Sequence, residues 1–128
     1  MIVGVDPAAL RELIELDGGF TVDLRSGQSV LCGISVCTRP SSSLVFSWAD
    51  WDDIGVTTWL CGSAQLAPAT CYLGGWLDPR TQEVWLDLVS VVAPAFRHEA
   101  FALARTMRQH GVFDLERMEL VDLRVSAA

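Results

Sequence analysis

The sequence predicts an α+β domain spanning residues 1–128, with three helices packed on a mainly antiparallel sheet of five to seven strands. Three observations lead to this prediction. Half of the residues are hydrophobic and a fifth are charged, which is typical of a compact domain. Three segments carry helix-capping signals or helical periodicity. The other hydrophobic runs are short and separated by turn residues, as in an antiparallel sheet.

The first helix is predicted to begin at Asp6 and Pro7. An aspartate at this place can cap free N–H groups, and proline is tolerated in the first helical turn. Leu10 and Ile14 lie one turn apart and form an apolar stripe. Gly18 supplies the left-handed residue that commonly ends a helix.

Three strands are predicted next along the chain. Residues 20–25 and 28–38 alternate or are β-branched, and Ser26-Gly27 between them is a turn signal, so 20–38 is expected to form a hairpin. Residues 44–48 form a short third strand. A second helix is expected over 54–67, capped by the preceding aspartates and ended by Pro68.

A third helix is predicted over 95–110, opened by Pro94 and closed by Gly111. Its apolar residues recur at helical spacing and should face the core. This stripe consists of Phe96, Ala100, Leu103 and Met107. Two short strands over 112–115 and 118–123 complete the chain.

The most informative segment is the hairpin expected over 71–91. If its loop is residues 79–82, then Asp78 faces Glu83 and Trp76 faces Trp85. Side chains alternate between the faces of a strand, so the hairpin has one aliphatic face, which is assigned to the core, with Gly75 leaving room for a helix or strand. The aliphatic face carries Leu73, Leu77, Val84, Leu86 and Leu88.

The opposite face of this hairpin is the predicted partner-binding surface. It carries Tyr72, Gly74, Trp76, Trp85 and Asp87. Two tryptophans and a tyrosine supply contact area, and a bare glycine beside them lets another molecule approach the backbone. The alternative is that the face is covered and the tryptophans form a second small core.

A secondary candidate surface precedes the second helix. It comprises Trp48, Asp50, Trp51, Asp52 and Asp53. Three carboxylates could bind a hard cation, but the segment lacks the glycine and distal glutamate of a calcium loop. Capping of the following helix is therefore the favoured interpretation, and no metal or cofactor is predicted.

Composition limits the partners. A net charge of −7 disfavours nucleic acid, because phosphate binding needs a basic surface. No window has the length of a membrane helix, and the N-terminus lacks the pattern of a signal peptide, so we expect a cytoplasmic protein that does not engage membranes.

The cysteines and histidines give no local catalytic pattern. Cys32, Cys37, Cys61 and Cys71 fit no common zinc spacing and are expected to be buried thiols. His98 and His110 are too far apart on the third helix to share a metal, and His110 would suit the helix C-terminus. An enzyme with Cys61 or Cys71 paired to His98 through the fold stays open. Arg97, Arg105 and Arg108 form a basic face on that helix.

The second half of the chain carries a recognisable pattern. Tyr72-x-Gly-Gly-Trp76-x-Asp-Pro is followed by Val84-x-Leu-Asp-Leu88, an Ala/Arg-rich helix and Phe113-Asp-Leu115. The pattern resembles uncharacterised small proteins of actinobacterial genomes and their phages or mobile elements. The resemblance covers about 60 residues from Ala67 onward. It implies an accessory role, such as anti-defence or immunity, but no reaction or functional residue. Gln82 stands where such hairpins commonly have glycine.

The leading functional hypothesis is a non-catalytic, acidic, cytoplasmic domain that binds another protein, for which an anti-defence or immunity-like accessory role is one form. The tryptophan face would supply the contact area, and the acidic surface would set partner choice and association rate. A small enzyme with a Cys/His or carboxylate site is the runner-up. A structural homodimer that pairs through the aromatic face is the third hypothesis. A binder predicts an exposed aromatic patch, whereas an enzyme predicts ionisable groups converging in a concave site.

Overall fold

The computed structural model describes residues 4–37, 43–66, 72–109 and 111–123, without the side chains of 64–66. Within these residues the predicted α+β fold is confirmed: three α-helices and a curled, seven-stranded antiparallel sheet are present. The helices are α1 (Pro7–Asp17), α2 (Asp53–Leu66) and α3 (Arg97–Thr106). The strands are β1 (Gly19–Asp23), β2 (Ile34–Cys37), β3 (Leu44–Ser47), β4 (Tyr72–Asp78), β5 (Glu83–Val92), β6 (Gly111–Asp114) and β7 (Glu119–Asp122).

Strand β5 organises the sheet. The strand order is β1-β4-β5-β2-β6-β7, and β3 also pairs with β5. One edge of β5 pairs with β4 over seven residues. Its other edge pairs with two short strands in line, with β2 at 89–92 and with β3 at 83–86. Asp87 and Leu88 lie between these two partners, at the point where residues 38–42 separate β2 from β3 along the chain.

Helix α1 forms as its sequence predicts. The Asp6 carboxylate accepts a hydrogen bond from the Ala8 N–H at 3.1 Å, and Gly18 adopts a left-handed φ of 77° at the end of the helix. Leu10 and Ile14 are buried. They pack with residues of β1, α2 and the β4–β5 hairpin, so the aliphatic face of the hairpin is core as expected.

The hairpin predicted over 20–38 is wrong. The turn at Gly27 exists, but the pairing across it does not extend into a second strand beyond a bridge between Val22 and Ser29. Strand β1 pairs instead with β4, where Phe20 lies opposite Gly75. A Cβ atom on Gly75 would lie 2.4 Å from the Phe20 ring, so the glycine makes the room that this non-local pairing needs.

Helix α3 differs from its prediction in length and in buried face. It ends at Thr106 instead of His110, and Gly111 begins β6 rather than closing the helix. Residues 94–96 form a short 3₁₀ turn. Phe96 and Leu103, expected in the core, are 57% and 42% exposed, whereas Ala100 and Ala104 are buried. The helix therefore contacts the sheet through small side chains, which allow close approach to a second apolar cluster.

The sheet curls so that the face opposite the leucines turns inward. Phe113 of β6 lies against Gly19 of β1, although the two strands are separated in the sheet order by β4, β5 and β2. This curl buries the inward side chains of the central strands between strands rather than beneath a helix. Within the described ranges, the helices are all too short or too polar to span a membrane.

Candidate functional site

The predicted register of the β4–β5 hairpin is confirmed. Asp78 lies opposite Glu83, and Trp76 lies opposite Trp85. The two indoles stack, with ring centroids 6.0 Å apart and planes inclined by 16°. Gln82 closes the loop with a left-handed φ of 58°, and its N–H donates to the Asp78 carbonyl at 2.8 Å. The glutamine thus adopts the backbone conformation for which glycine is favoured.

The indole face is not the open patch that a flat protein-binding surface would need. Trp76 is only 8% exposed and Asp87 only 7% exposed, while Trp85 is half-buried. The cover comes from the curl of the sheet. Trp85 is therefore the most accessible of these three side chains.

Gly74 does not leave an open approach to the backbone. A Cβ atom placed on it would lie 2.8 Å from a Val89 methyl and 3.3 Å from the Ser35 hydroxyl. Those two side chains already occupy the space, so the glycine serves the protein's own packing. Tyr72 is half-buried at the start of β4, opposite Val89. Of the predicted surface, the structure brings Trp76, Trp85 and Asp87 together around one cavity.

This cavity, named here the Asp87 pocket, has a volume of about 80 Å³. It lies where β2, β5 and the chain following α3 meet. It is lined by Cys37, Ser43, Trp76, Trp85, Asp87, Met107, Arg108, Gln109 and Gly111. Six of these residues were not predicted from the sequence. They come from segments distant from the hairpin in the chain, and no local motif marks them.

On β5, Asp87 lies between the residues that pair with β3 and those that pair with β2. Its carboxyl group accepts hydrogen bonds from the Ser43 hydroxyl and the Cys37 thiol. Burial raises the pKa of the Asp87 carboxyl above its ordinary value, and these two hydrogen bonds oppose the shift only in part. In the described part of the chain, the ion pairs involve other carboxylates, and none reaches Asp87.

Gln109 fixes the wall of the pocket opposite β5. The Cys37 N–H donates to the Gln109 side-chain oxygen at 3.1 Å, and the Gln109 amide nitrogen donates back to the Cys37 carbonyl. The Gln109 side chain thereby makes, with the backbone at the end of β2, the two hydrogen bonds that a residue of a neighbouring strand would make. The preceding residue, Arg108, adopts a left-handed φ of 57° and is exposed at the rim of the pocket.

The secondary candidates lie elsewhere, beside the leucine core. The Asp52 carboxylate accepts from the Ile54 and Gly55 N–H groups, both at 3.2 Å, so it caps α2 as expected. The Trp51 indole N–H donates to Asp53 at 2.8 Å, and Trp51 packs edge-on against Trp48. Asp50 is exposed in the 3₁₀ turn over 48–50. Throughout the described residues, no three His, Cys, Asp or Glu side chains converge as metal ligands would.

The cysteines and histidines are dispersed. Cys37 is buried, but Cys32 and Cys61 are exposed, which corrects the expectation that all four thiols are buried. His98 is exposed on α3 and does not line the Asp87 pocket. Cys71 and His110 lie outside the described residues, as do Thr38, Ala67 and Pro68.

The predicted basic face of the third helix is divided among different contacts. Arg97 bonds Asp114 and stacks on the Phe101 ring at 4.7 Å. Arg108 lies past the end of α3, at the rim of the Asp87 pocket. Arg105 is exposed in the last turn of α3.

Comparisons of the chain with family models, with curated proteins and with solved structures found no match in any of the three. The Asp87 pocket is therefore interpreted from its own geometry.

Proposed function

We propose that this is a non-catalytic binding protein and that one side chain of a partner protein enters the Asp87 pocket. The observation that carries the proposal is the meeting of a half-buried Trp85 and a buried Asp87 at one small cavity between β5 and the end of α3. An aromatic ring and a buried polar group together can fix both the position and the chemical type of an inserted group.

The size of the cavity favours a projecting side chain over a whole metabolite. Pockets that enclose drug-sized molecules have volumes of about 300–1,000 Å³. The Asp87 pocket, at about 80 Å³, can hold only a few non-hydrogen atoms. A side chain carried on a larger surface can use such a pocket as an anchor, with further contact area around the rim.

The bonding within the pocket favours binding over catalysis. A catalytic cysteine must react as the thiolate, and an adjacent base usually generates it. Here the Cys37 thiol donates to Asp87, and burial raises the pKa of that carboxyl. Among the described residues of the pocket, no histidine activates Cys37 or Ser43.

The proposal also covers the cellular location of the protein, its genomic context and the kind of partner it binds. A cytoplasmic location is part of the proposal, and the three described cysteines, which form no disulfide with one another, are compatible with it. An accessory role in a phage or mobile element, either anti-defence or immunity-like, is supported by the resemblance of the second half of the chain. The net charge of −7 favours a basic partner protein.

The proposal is tested by quantitative pull-down from a host lysate with wild type, Trp85→Ala and Trp59→Ala. Trp59 is the matched control, because it is also half-buried but packs at the leucine core. We expect Trp85→Ala to lose a protein that wild type and Trp59→Ala both retain. Trp76→Ala is less informative, because removing a buried indole costs about 3–5 kcal/mol of stability.

Equal recovery of every protein by all three chains would refute the proposal. Light scattering of the purified protein addresses the homodimer. A mass that doubles with concentration in wild type and not in Trp85→Ala would assign the aromatic face to self-association instead.

A further inference from the structure

The Asp87 pocket contains a buried carboxyl group for which the described part of the fold supplies no counter-ion. Asp87 is 7% exposed, and its hydrogen-bond donors, Ser43 and Cys37, are both neutral. Asp114, whose side chain is also almost inaccessible to solvent, bonds instead to an arginine. The fold therefore builds an ion pair at one buried aspartate and leaves the other beside a cavity.

We infer that the Asp87 pocket receives the ammonium group of a lysine side chain carried by the partner protein. The inference rests on the proposed function and names the chemistry of the group that enters. An ammonium group in this cavity would pair with the Asp87 carboxylate and lie near the indoles of Trp76 and Trp85. Tryptophan is the best aromatic partner for a cation, and Met107 offers an apolar wall to the methylenes of a lysine.

The bonding of Asp87 favours lysine over arginine. Ser43 and Cys37 already donate to the carboxyl group, which limits the acceptor sites that an incoming cation can use. A guanidinium group binds carboxylates best through two parallel hydrogen bonds, whereas an ammonium group is a compact point charge. The single constrained carboxyl suits the ammonium group.

The charges around the pocket are compatible with this occupant. Among the described residues, the other titratable or charged residues that line the pocket are Cys37 from β2 and Arg108 after α3. Arg108 is exposed, so water and salt screen its charge. Asp87 is buried, where a charge acts more strongly on its neighbours.

The occupant must come from a different protein. The chain contains no lysine, because all nine of its basic residues are arginines. A second copy of the chain therefore cannot supply an ammonium side chain. The net charge of −7 would also attract a lysine-rich partner and repel another copy.

Binding of the ammonium group should be coupled to release of a proton. Burial raises the pKa of Asp87 in the empty pocket, and an ammonium group beside it would lower that pKa. Affinity should therefore increase as the pH rises through the pKa of the empty pocket. A neutral occupant would show no such increase.

The test is a titration of the full chain with Nα-acetyl-lysine methylamide, followed by tryptophan fluorescence and by NMR. The matched neutral probe is Nα-acetyl-norleucine methylamide, which has the same four side-chain carbons but lacks the terminal ammonium group. The corresponding arginine derivative is the third probe. We expect the lysine probe to bind about tenfold more tightly than either of the others, as a charge-assisted contact requires.

Two variants test whether the lysine probe binds at Asp87. Asp87→Asn should lower the affinity for the lysine probe about tenfold and abolish its pH dependence, because the amide keeps the shape but not the charge. Asp50→Asn is the control, since Asp50 is exposed far from the pocket, and it should bind as wild type does. If circular dichroism shows that Asp87→Asn is unfolded, Trp85→Ala replaces it. The affinity for the lysine probe is then measured for Trp85→Ala and, over a series of pH values, for the wild type.

The outcomes separate this inference from the proposed function. Equal affinity for the lysine and norleucine probes, or tighter binding of the arginine probe, would overturn the inference. So would absence of binding by all three probes while Trp85→Ala loses its partner in the pull-down, and the proposed function would then survive. Absence of binding together with an unchanged pull-down would overturn both.

Discussion

Asp114 and Asp87 are both almost inaccessible to water, yet the fold treats them in opposite ways. Asp114, at the end of β6, accepts hydrogen bonds from Arg97 and from the Glu116 and Arg117 N–H groups. Asp87, in the middle of β5, is bonded within the described residues by the neutral side chains of Ser43 and Cys37. A buried carboxylate with a cation and backbone donors has a structural role, whereas one without a cation beside a cavity is available to an incoming group.

The pKa values of the two groups move in opposite directions. Burial alone would raise the pKa of Asp114, but the hydrogen bond and charge of Arg97 and the backbone donors lower it below its ordinary value. For Asp87, burial prevails and the pKa is raised. The Asp87 carboxyl lies deeper in the protein than that of Asp114, so stronger desolvation and the neutral character of its described donors both contribute to the difference.

The largest expected effect is at Asp114. Asp114→Ala should lower the free energy of unfolding by about 3 kcal/mol at pH 7, because a buried turn loses its acceptor and Arg97 loses its partner. Urea denaturation measures this loss. The control is Glu15→Ala, which removes an exposed i,i+4 pair with Arg11 and should cost only about 0.5 kcal/mol. Similar losses for both variants would contradict a structural role for Asp114.

The stabilisation by Asp114 should also depend on pH in a defined direction. Its folded pKa lies below the unfolded value, so the stabilisation is present above about pH 4 and is lost as the pH falls through the folded pKa. Acid titration of the wild type and of Asp114→Ala, followed by circular dichroism, should show the steeper loss in the wild type.

The next effect is at Gln109, which supports the Asp87 pocket without contacting Asp87 through any described hydrogen bond. Gln109→Ala removes two hydrogen bonds to the backbone of Cys37 and should lower the free energy of unfolding by about 2 kcal/mol. Gln109→Glu keeps the side-chain acceptor and loses the amide donor. Its free energy of unfolding should therefore lie between those of the wild type and of Gln109→Ala. Faster amide hydrogen exchange at Cys37 would place the loss at β2. Unchanged exchange there would contradict the role assigned to Gln109.

The two hairpins that flank these aspartates provide a smaller, paired test. Gln82 in the β4–β5 turn and Met118 in the β6–β7 turn both have left-handed φ angles, of 58° and 51°. Gln82→Gly and Met118→Gly should each raise the free energy of unfolding by about 1 kcal/mol, because glycine adopts this conformation without a Cβ clash. Thermal unfolding measures both. Thr81→Gly in the β4–β5 turn is the control, and it should not raise the free energy of unfolding.

The smallest expected effect on stability is at Asp87. Asp87→Asn should leave the free energy of unfolding at pH 7 unchanged or increased, because the amide keeps the Ser43 contact and removes a carboxyl that resists ionisation. Since the folded pKa of Asp87 is raised, its contribution to wild-type stability falls as the pH rises from about 4 through that pKa. Urea denaturation at several pH values should show this decline in wild type and not in Asp87→Asn. Parallel pH profiles of stability for the wild type and Asp87→Asn would refute the raised pKa assigned to Asp87.

The sequence predicted the register of the β4–β5 hairpin correctly, because the information for it is local. Strand parity and loop length fix which side chain lies opposite which, and Trp76 therefore lies opposite Trp85 as predicted. Capping explains why α1 was also predicted correctly, from Asp6 to Gly18.

The errors arose where distant segments decide the structure. The pairing of β1 with β4 depends on the space that Gly75 gives to Phe20, and nothing near β1 encodes this. Helix α3 buries Ala100 and Ala104 completely and Phe101 in part, while Phe96 and Leu103 are exposed, and the helical periodicity alone did not distinguish these residues.

The site was predicted only in part for the same reason. Trp76, Trp85 and Asp87 belong to one hairpin and could be grouped by parity. Ser43 and Gln109 reach the pocket only because β3 and the end of α3 are placed there by the whole fold. The curl of the sheet, which makes the indole face a pocket rather than a platform, is a property of all seven strands together.

The pairing of β5 around Asp87 has an evolutionary consequence. Strand β5 is held by β3 at residues 83–86 and by β2 at residues 89–92. Cys37, the last residue of β2, and Ser43, which precedes β3, both line the pocket. Substitutions at these two positions can therefore diversify the selectivity of the pocket while the register of the scaffold is inherited intact.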